Sequence, residues 1–302
     1  LSLKMTINAL IQNTPLTVLI PYTIAFLALL IGSYTDIKTR EVPDWVNLGL
    51  IGTGIGISLL FSIIFFKADF ILASIAGFGI LFVIAWIMFY TGQWGGGDSK
   101  ILMGMGAIIG IDFISKNFFL VHFFVNMMLI GALYGILWSI FSIFKNKKKF
   151  VKEFKKSMKG KKVRLTRRIV FILFIVLALT AVFIPDKIIK SMMLYLAVVS
   201  ILTFYLWVAI KAVENVCMLK YVKPSQLTEG DWIAKDVKAN GKYITGPKDL
   251  GIEKKNIRKL IALYKQRKVK NILIKEGIPF VPSFFIAYVI TLVFGNLVFL
   301  FV

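Results

Sequence analysis

The sequence predicts an all-α polytopic membrane protein of about eight membrane segments, one of them short, with a small cytoplasmic α+β domain. Three observations carry this. Of 302 residues, 58% are hydrophobic and 17% charged, with a mean hydropathy of +0.80, against about 45–50% apolar and about 25% charged in soluble domains. The apolar residues gather in blocks of membrane-spanning length that hold nearly all of the 27 phenylalanines. One polar stretch, about 217–277, is long enough to fold outside a bilayer. This composition excludes a disordered chain, a secreted disulfide scaffold and a collagen-like fibre. A single cysteine, Cys217, forms no internal disulfide, and a single histidine, His122, builds no histidine-rich metal site.

In chain order, the apolar blocks fall near 14–35, 45–66, 70–92, 99–111, 118–144, 169–184, 188–212 and 279–302. The first is too long for a signal peptide and lacks a small-residue cleavage site. If every block crosses, the connections alternate between two compartments. One set holds 32 of the 37 basic side chains; the other holds Lys4, Lys67, Lys116, Lys187 and Lys190. The positive-inside rule then puts the first set in the cytoplasm and both termini outside. The densest run, from Lys145 to Arg168, reads as a topology signal or a contact with anionic lipid headgroups. No aromatic residues alternate with its cations as a nucleic-acid platform requires, so no nucleic acid is expected as partner.

The chain is expected to divide into a membrane core at 1–144, a basic loop with an additional membrane hairpin at 145–216, the α+β domain at 217–277 and a last membrane helix at 278–302. Within the soluble stretch, Pro224, Gly230 and Asn240-Gly241 mark turns. Asp231–Val237, Lys242–Thr245 and Val269–Lys275 read as strands. Ile257, Leu260, Ile261 and Tyr264 share one face of a helix near 253–268. In the membrane, Gly52 and Gly56, Gly106 and Gly110, and Gly131 and Gly135 each lie four apart, a spacing that lets helix backbones approach.

Charged groups beside apolar blocks mark where chemistry is to be sought, because each is expensive to place in hydrocarbon. Asp36 closes the first block in Ser33-Tyr34-Thr35-Asp36-Ile37-Lys38-Thr39-Arg40-Glu41-Val42-Pro43-Asp44, and Asp98 opens the fourth in Trp94-Gly95-Gly96-Gly97-Asp98-Ser99-Lys100. Parity places both at cytoplasmic helix ends. Two carboxyls held together do not both ionise easily, so one serves as base towards water while the other acts as acid towards a peptide carbonyl. Gly95, Gly96 and Gly97 carry no side chains, which lets a substrate backbone come close; the bland reading is a loop with a helix cap. The fourth block spans about 20 Å at 1.5 Å per residue, short of a roughly 30 Å hydrocarbon core. Such a helix is tolerated where protein or a wet cavity surrounds it. Asp44 is the rival to Asp36 and matches an N-cap for the second block. Asp69, Asp112 and Asp186 are expected to end helices on the outer side.

The pair Tyr34-Thr35-Asp36 with Arg40 and Val42-Pro43-Asp44, then Gly95-Gly96-Gly97-Asp98-Ser99-Lys100, resembles the GxGD membrane aspartyl proteases. More narrowly it is similar to the prepilin peptidase family. The tail Glu276-Gly277-Ile278-Pro279-Phe280-Val281-Pro282-Ser283-Phe284 resembles its archaeal branch, the preflagellin and prepilin peptidases, which also carry a small cytoplasmic domain before the last helix. The resemblance implies Asp36 and Asp98 as catalytic dyad. It aligns Arg40, Pro43 and Lys100 with the flanking pattern and Gly95, Gly96 and Gly97 with the substrate approach. It covers 14–144 and 217–302; the hairpin at 145–212 lies outside it, and preflagellin peptidases typically have six spans. Bacterial relatives carry a tetracysteine zinc site, which one cysteine excludes, so no metal or cofactor is expected.

The implied function is endoproteolysis: removal of N-terminal leaders from membrane-anchored prepilin or preflagellin (archaellin) precursors at the cytoplasmic face. The alternative is an ion- or proton-coupled transporter binding cations at Asp36 and Asp98, with the short block as a discontinuous helix. His122 reads as a neutral histidine satisfied within the bundle or near the interface, rather than as a proton relay or ligand. Tyr22, Trp45, Tyr90 and Trp94, at block ends, read as interfacial anchors.

Overall fold

The computed structural model describes residues 15–111, 118–239 and 241–300; Asp112, Lys4, Lys116 and Asn240 lie outside the described residues. Among the described residues six helices are long and apolar enough to cross a membrane: α1 (Leu16–Thr39), α2 (Asp44–Ile64), α3 (Asp69–Tyr90), α5 (Phe119–Lys145), α7 (Lys161–Phe183) and α8 (Lys187–Val213, continued to Met218 by a π-helical turn). Two shorter helices, α4 (Gly96–Ile109) and the apolar α10 (Val281–Phe294), have 14 residues each. The chain is thus a multi-pass membrane protein, with six spanning helices and two short ones among the described residues. Two helices, rather than one, fall below spanning length: Gly295 turns the chain at φ +69° and ends α10 early. The described residues form two compact units, one from within 15–136 with 248–253 and 277–300, the other from within 137–247 with 254–276.

In the first unit, α4 is caged by α2 and α3. Its residues Ile101, Leu102, Met105, Ala107 and Ile108 are buried. A Cβ on Gly54 would stand 2.6 Å from the Ile108 nitrogen, and one on Gly77 or Gly106 would run into the other's backbone. The Ser74 hydroxyl donates to the Ala107 carbonyl at 2.7 Å, and the Ile111 N–H to the Ala73 carbonyl at 2.9 Å, so the end of α4 is satisfied by α3. A helix too short to span is therefore enclosed in protein, as its unpaired ends demand. The expected glycine pairs are only partly used. Gly106 and Gly110 pack tightly and Gly131 meets Phe280, but Gly52, Gly56 and Gly135 face open space, and the close approach on α2 falls at Gly54 instead.

α10 returns to this unit and packs along α1. The Tyr288 hydroxyl donates to the Tyr22 carbonyl at 2.8 Å, and Tyr22, Phe119 and Tyr288 form a ring cluster. Fully buried Asn126 of α5 donates to Thr291 Oγ1 and to the Gly295 carbonyl, and its Oδ1 accepts from the Leu297 N–H. One amide so satisfies the end of α10. Trp94 is buried against Phe284, with ring centroids 5.7 Å apart, and is not an interfacial anchor; Trp45 and Tyr90 are exposed.

The second unit carries the run from Lys145 to Arg168. It folds as an amphipathic helix, α6 (Lys147–Met158), followed by the cationic first turns of α7. α7 and α8 pack as a hairpin, with Asp186 capping α8 by accepting from the Ile188 and Ile189 N–H groups at 2.9 Å. The polar stretch forms β1 (Leu219–Val222), β2 (Trp232–Ile233), β3 (Val237–Ala239), β4 (Lys242–Thr245), α9 (Lys254–Lys265) and β5 (Ile272–Lys275). The antiparallel sheet runs β1-β5-β2, beside a β3-β4 hairpin. β1 is unforeseen, because it follows a membrane helix without a turn signal. The expected strand Asp231–Val237 breaks in two: Ile233 stays with β5, while Val237 leaves to pair with Thr245. On α9, Ile257 and Leu260 are buried and Ile261 and Tyr264 half-buried, the face that the periodicity predicts.

Candidate active site

Asp36 lies one turn from the end of α1, and its side chain is buried. Arg40 ends the helix: its backbone adopts the left-handed conformation at φ 63°, and its N–H donates to the Asp36 carbonyl at 2.9 Å. Pro43 then precedes α2 at φ −57°, with its carbonyl accepting the N–H of Val46 at 3.0 Å. Between them Val42 is buried, and the Asn47 amide donates to its carbonyl at 3.3 Å. The link between α1 and α2 is thus short and held from both sides.

Asp98 is the third residue of α4. Its Oδ2 accepts the N–H of Gly95, the residue that caps the helix, at 3.2 Å. This is one half of a capping box; glycine has no side chain to supply the other half. The carboxyl also sits where the helix dipole favours negative charge. Asp98 is half-buried, between solvent and the bundle. Added Cβ atoms at Gly95, Gly96 and Gly97 would sit 3.4–3.9 Å from their nearest neighbours, so the fold itself does not need glycine there. The nearest neighbour of Gly97 is Val42, which brings the two aspartate loops into contact.

Asp36 and Asp98 lie within electrostatic reach of each other. Asp36 is held in turn by the start of α10: its Oδ2 accepts the Val281 N–H at 3.0 Å, the Phe280 N–H also bears on the carboxyl, and the Arg40 charge acts on it. Tyr134 of α5 is within electrostatic reach of both Asp36 and Arg40. Sequence reasoning missed Tyr134, since an isolated tyrosine in an apolar helix gives no signal. It noticed the Pro279–Pro282 tail without assigning the tail's contact to Asp36.

Asp44 does not cap α2. Pro43 holds that position, and Asp44, the first helical residue, pairs with the Lys100 ammonium at 2.6 Å on an exposed surface. Lys100 therefore turns outward to Asp44. Asp69 begins α3 and Asp186 caps α8. His122 lies half-buried on α5. Among the described residues no three His, Cys, Asp or Glu side chains gather as a metal site would require. Two carboxyls from two helices, each accepting a backbone N–H, can exchange protons with a water and a carbonyl placed between them.

Comparison with known proteins bears on this segment. Preflagellin peptidases of Methanococcus voltae, Methanococcus maripaludis (strain C6) and Methanocaldococcus jannaschii are 45%, 36% and 35% identical to this chain over 93, 91 and 91 residues. Each match covers 30% of this chain and 38–39% of the relative. The chain thus spans about two fifths of the length of the curated relatives it matches. No solved structure matches significantly. Residues 23–136 match the family model described as the type IV leader peptidase family. The resemblance read from the Asp36 and Asp98 motifs is borne out there: the segment that carries both aspartates is similar to the type IV leader peptidases.

Proposed function

We propose that this protein is an aspartic endopeptidase that removes leader peptides from membrane-anchored, pilin-like precursors, with preflagellins as the substrate class. The observation that carries this reading is that Asp36 and Asp98, from two helices, lie within electrostatic reach of each other inside a segment similar to type IV leader peptidases, in a chain that also matches preflagellin peptidases. The transporter alternative gains nothing from the comparisons, and both aspartates stand at helix ends rather than at mid-helix.

In the proposed reaction, water sits between the two carboxyls. One carboxylate removes its proton as the oxygen attacks the scissile carbonyl, and the other carboxyl gives its proton to the carbonyl oxygen. Collapse of the tetrahedral intermediate breaks the C–N bond. The amine leaves with a proton from the first carboxyl, and the second recovers its proton from the intermediate's hydroxyl. The glycines at 95–97 leave room for the precursor backbone. The basic distribution supports an active site at the cytoplasmic face and termini outside.

The test is to mix the purified full chain, in detergent, with a preflagellin precursor and follow its shortening. Wild type should cleave, Asp36→Asn and Asp98→Asn should not, and chelators should leave the rate unchanged. Activity retained in both single variants would overturn the reading.

A further inference from the structure

The second unit contains a groove that the proposed peptidase chemistry does not use. It has a volume of about 570 Å³ and lies between α6 and α7, lined by Phe154, Lys155, Met158, Lys159, Arg164 and Arg167. Four of the six lining residues are cationic and none is acidic. Lys155 and Lys159 are one turn apart, and Arg164 and Arg167 are three apart on α7, so each pair presents its charges to the same side. The acid of α6, Glu153, is engaged elsewhere, by Lys156 at 3.6 Å and by Asn215 at 3.5 Å. Four like charges around one groove repel one another, and an anion seated among them relieves that repulsion.

The remaining walls say which kind of anion. Phe154 and Met158 are half-buried, and Phe150 stacks on Phe154 with centroids 5.7 Å apart, giving an otherwise cationic helix one apolar stripe. A helix of that pattern lies in the plane of a membrane interface. Arg167 and Arg168 run directly into the apolar stretch of α7, which has the length and composition of a membrane span. The groove therefore sits at the first turn of a spanning helix, where lipid phosphates lie. A free phosphate would satisfy the cations but would have no use for the apolar wall.

We propose that this groove is a binding site for the phosphate headgroup of an anionic membrane lipid. The headgroup is held by Lys155, Lys159, Arg164 and Arg167, and its first methylenes rest on Phe154 and Met158. The bound lipid fastens α6 to the membrane surface beside α7. This site is independent of the aspartates, so its test and the peptidase test fail separately.

The experiment uses the full chain in neutral detergent, with native mass spectrometry reading lipid adducts. Dioctanoyl phosphatidylglycerol, dioctanoyl phosphatidylcholine and inorganic phosphate are the three probes. Phosphatidylglycerol should be retained, phosphatidylcholine should not, and inorganic phosphate should displace the lipid only at far higher concentration. Replacing the four cations (Lys155→Gln, Lys159→Gln, Arg164→Gln, Arg167→Gln) should weaken phosphatidylglycerol binding by roughly tenfold or more. The same charge loss outside the groove (Lys147→Gln, Lys148→Gln, Lys149→Gln, Lys152→Gln) should weaken it about threefold at most, since none of these side chains lines the groove and solvent salt screens their field. If the fourfold groove variant does not fold, the pair Lys155→Gln with Lys159→Gln replaces it and should still weaken binding more than the control. Equal loss in groove and control variants would overturn the site in favour of a diffuse basic field. Retention of phosphatidylcholine, or displacement by phosphate at equal concentration, would overturn the anionic-lipid assignment.

Discussion

The Asp36 carboxylate accepts the backbone N–H of Val281 at 3.0 Å, across 245 positions of sequence. The end of α1 thereby supplies a cap to the start of α10. The first N–H groups of a helix have no intrahelical partner, and Phe280, at the capping position, has no oxygen to offer them. Pro282 follows within the first turn, where a missing N–H is harmless. The candidate dyad thus shares one of its carboxyls with the architecture.

That sharing predicts a split between two substitutions at one position. Asp36→Asn keeps an acceptor for Val281 and should lose cleavage while melting close to wild type. Asp36→Ala should lose cleavage and also about 1–3 kcal/mol of stability, because a buried donor is left unmade. Thermal unfolding in detergent, run beside the cleavage assay, separates them. Equal melting of the two variants would show that the Val281 bond contributes little.

Asp98 makes a weaker structural bond, to a half-buried glycine N–H. Asp98→Ala should therefore destabilise by only about 0.5–1.5 kcal/mol while abolishing cleavage. The double variant Asp36→Asn, Asp98→Asn should be about as inactive as either single one, since groups that act as a unit are not additive. A further large loss in the double variant would mean that the two carboxyls act separately.

The glycines sort by what surrounds them. Gly54→Ala drives a methyl into the backbone of α4 and should lower stability by about 1–3 kcal/mol. Gly52→Ala and Gly56→Ala meet nothing and should be neutral, or stabilising by up to about 1 kcal/mol through helix propensity. Gly97→Ala should melt like wild type, because its Cβ makes ordinary contacts. If precursor backbone passes there, cleavage by Gly97→Ala should fall, with KM rising more than kcat drops.

The Asp44–Lys100 pair is exposed on both sides, at 68% and 44%. Such pairs are worth about 0–1 kcal/mol. Asp44→Asn should leave both melting and cleavage nearly intact, at low and at high salt. Loss of cleavage in Asp44→Asn with activity retained in Asp36→Asn would exchange the roles of the two acids.

Orientation is open to chemical labelling. In a Cys217→Ser background, a cysteine at Gly160 should be shielded in right-side-out vesicles, and one at Ala68 should react with an impermeant maleimide. Reaction of both from outside would remove the alternating arrangement, and with it the cytoplasmic placement of the dyad.

How much of this is legible in the sequence varies with the range of the physics. Membrane helices follow from hydropathy summed over one segment, so their number and rough bounds are read directly; α7 departs most at its start, beginning eight residues before its apolar block, because the mostly good helix formers of Lys161–Arg168 continue it into the polar zone. The α9 face is read from periodicity for the same reason. Short strands are not: β1 and the break between β2 and β3 depend on which neighbour offers free backbone groups. Trp94 misleads because a tryptophan at a block end looks alike whether it meets lipid headgroups or, as here, Phe284.

Several acids stand at helix ends in this chain, and hydropathy alone does not separate Asp36, Asp44, Asp69, Asp98 and Asp186; only the motifs around Asp36 and Asp98 mark those two out. The sequence by itself determined that they lie there, since hydropathy forces charge to the ends of apolar helices. Only the tertiary structure decided what each of them touches. Asp186 satisfies its own helix, Asp44 takes Lys100 at the surface, and Asp36 receives the Val281 N–H and the field of Asp98. The reason is that a carboxyl's partners are whatever the packing brings within a few ångströms. In this protein a caged short helix and a returning C-terminal helix do that bringing.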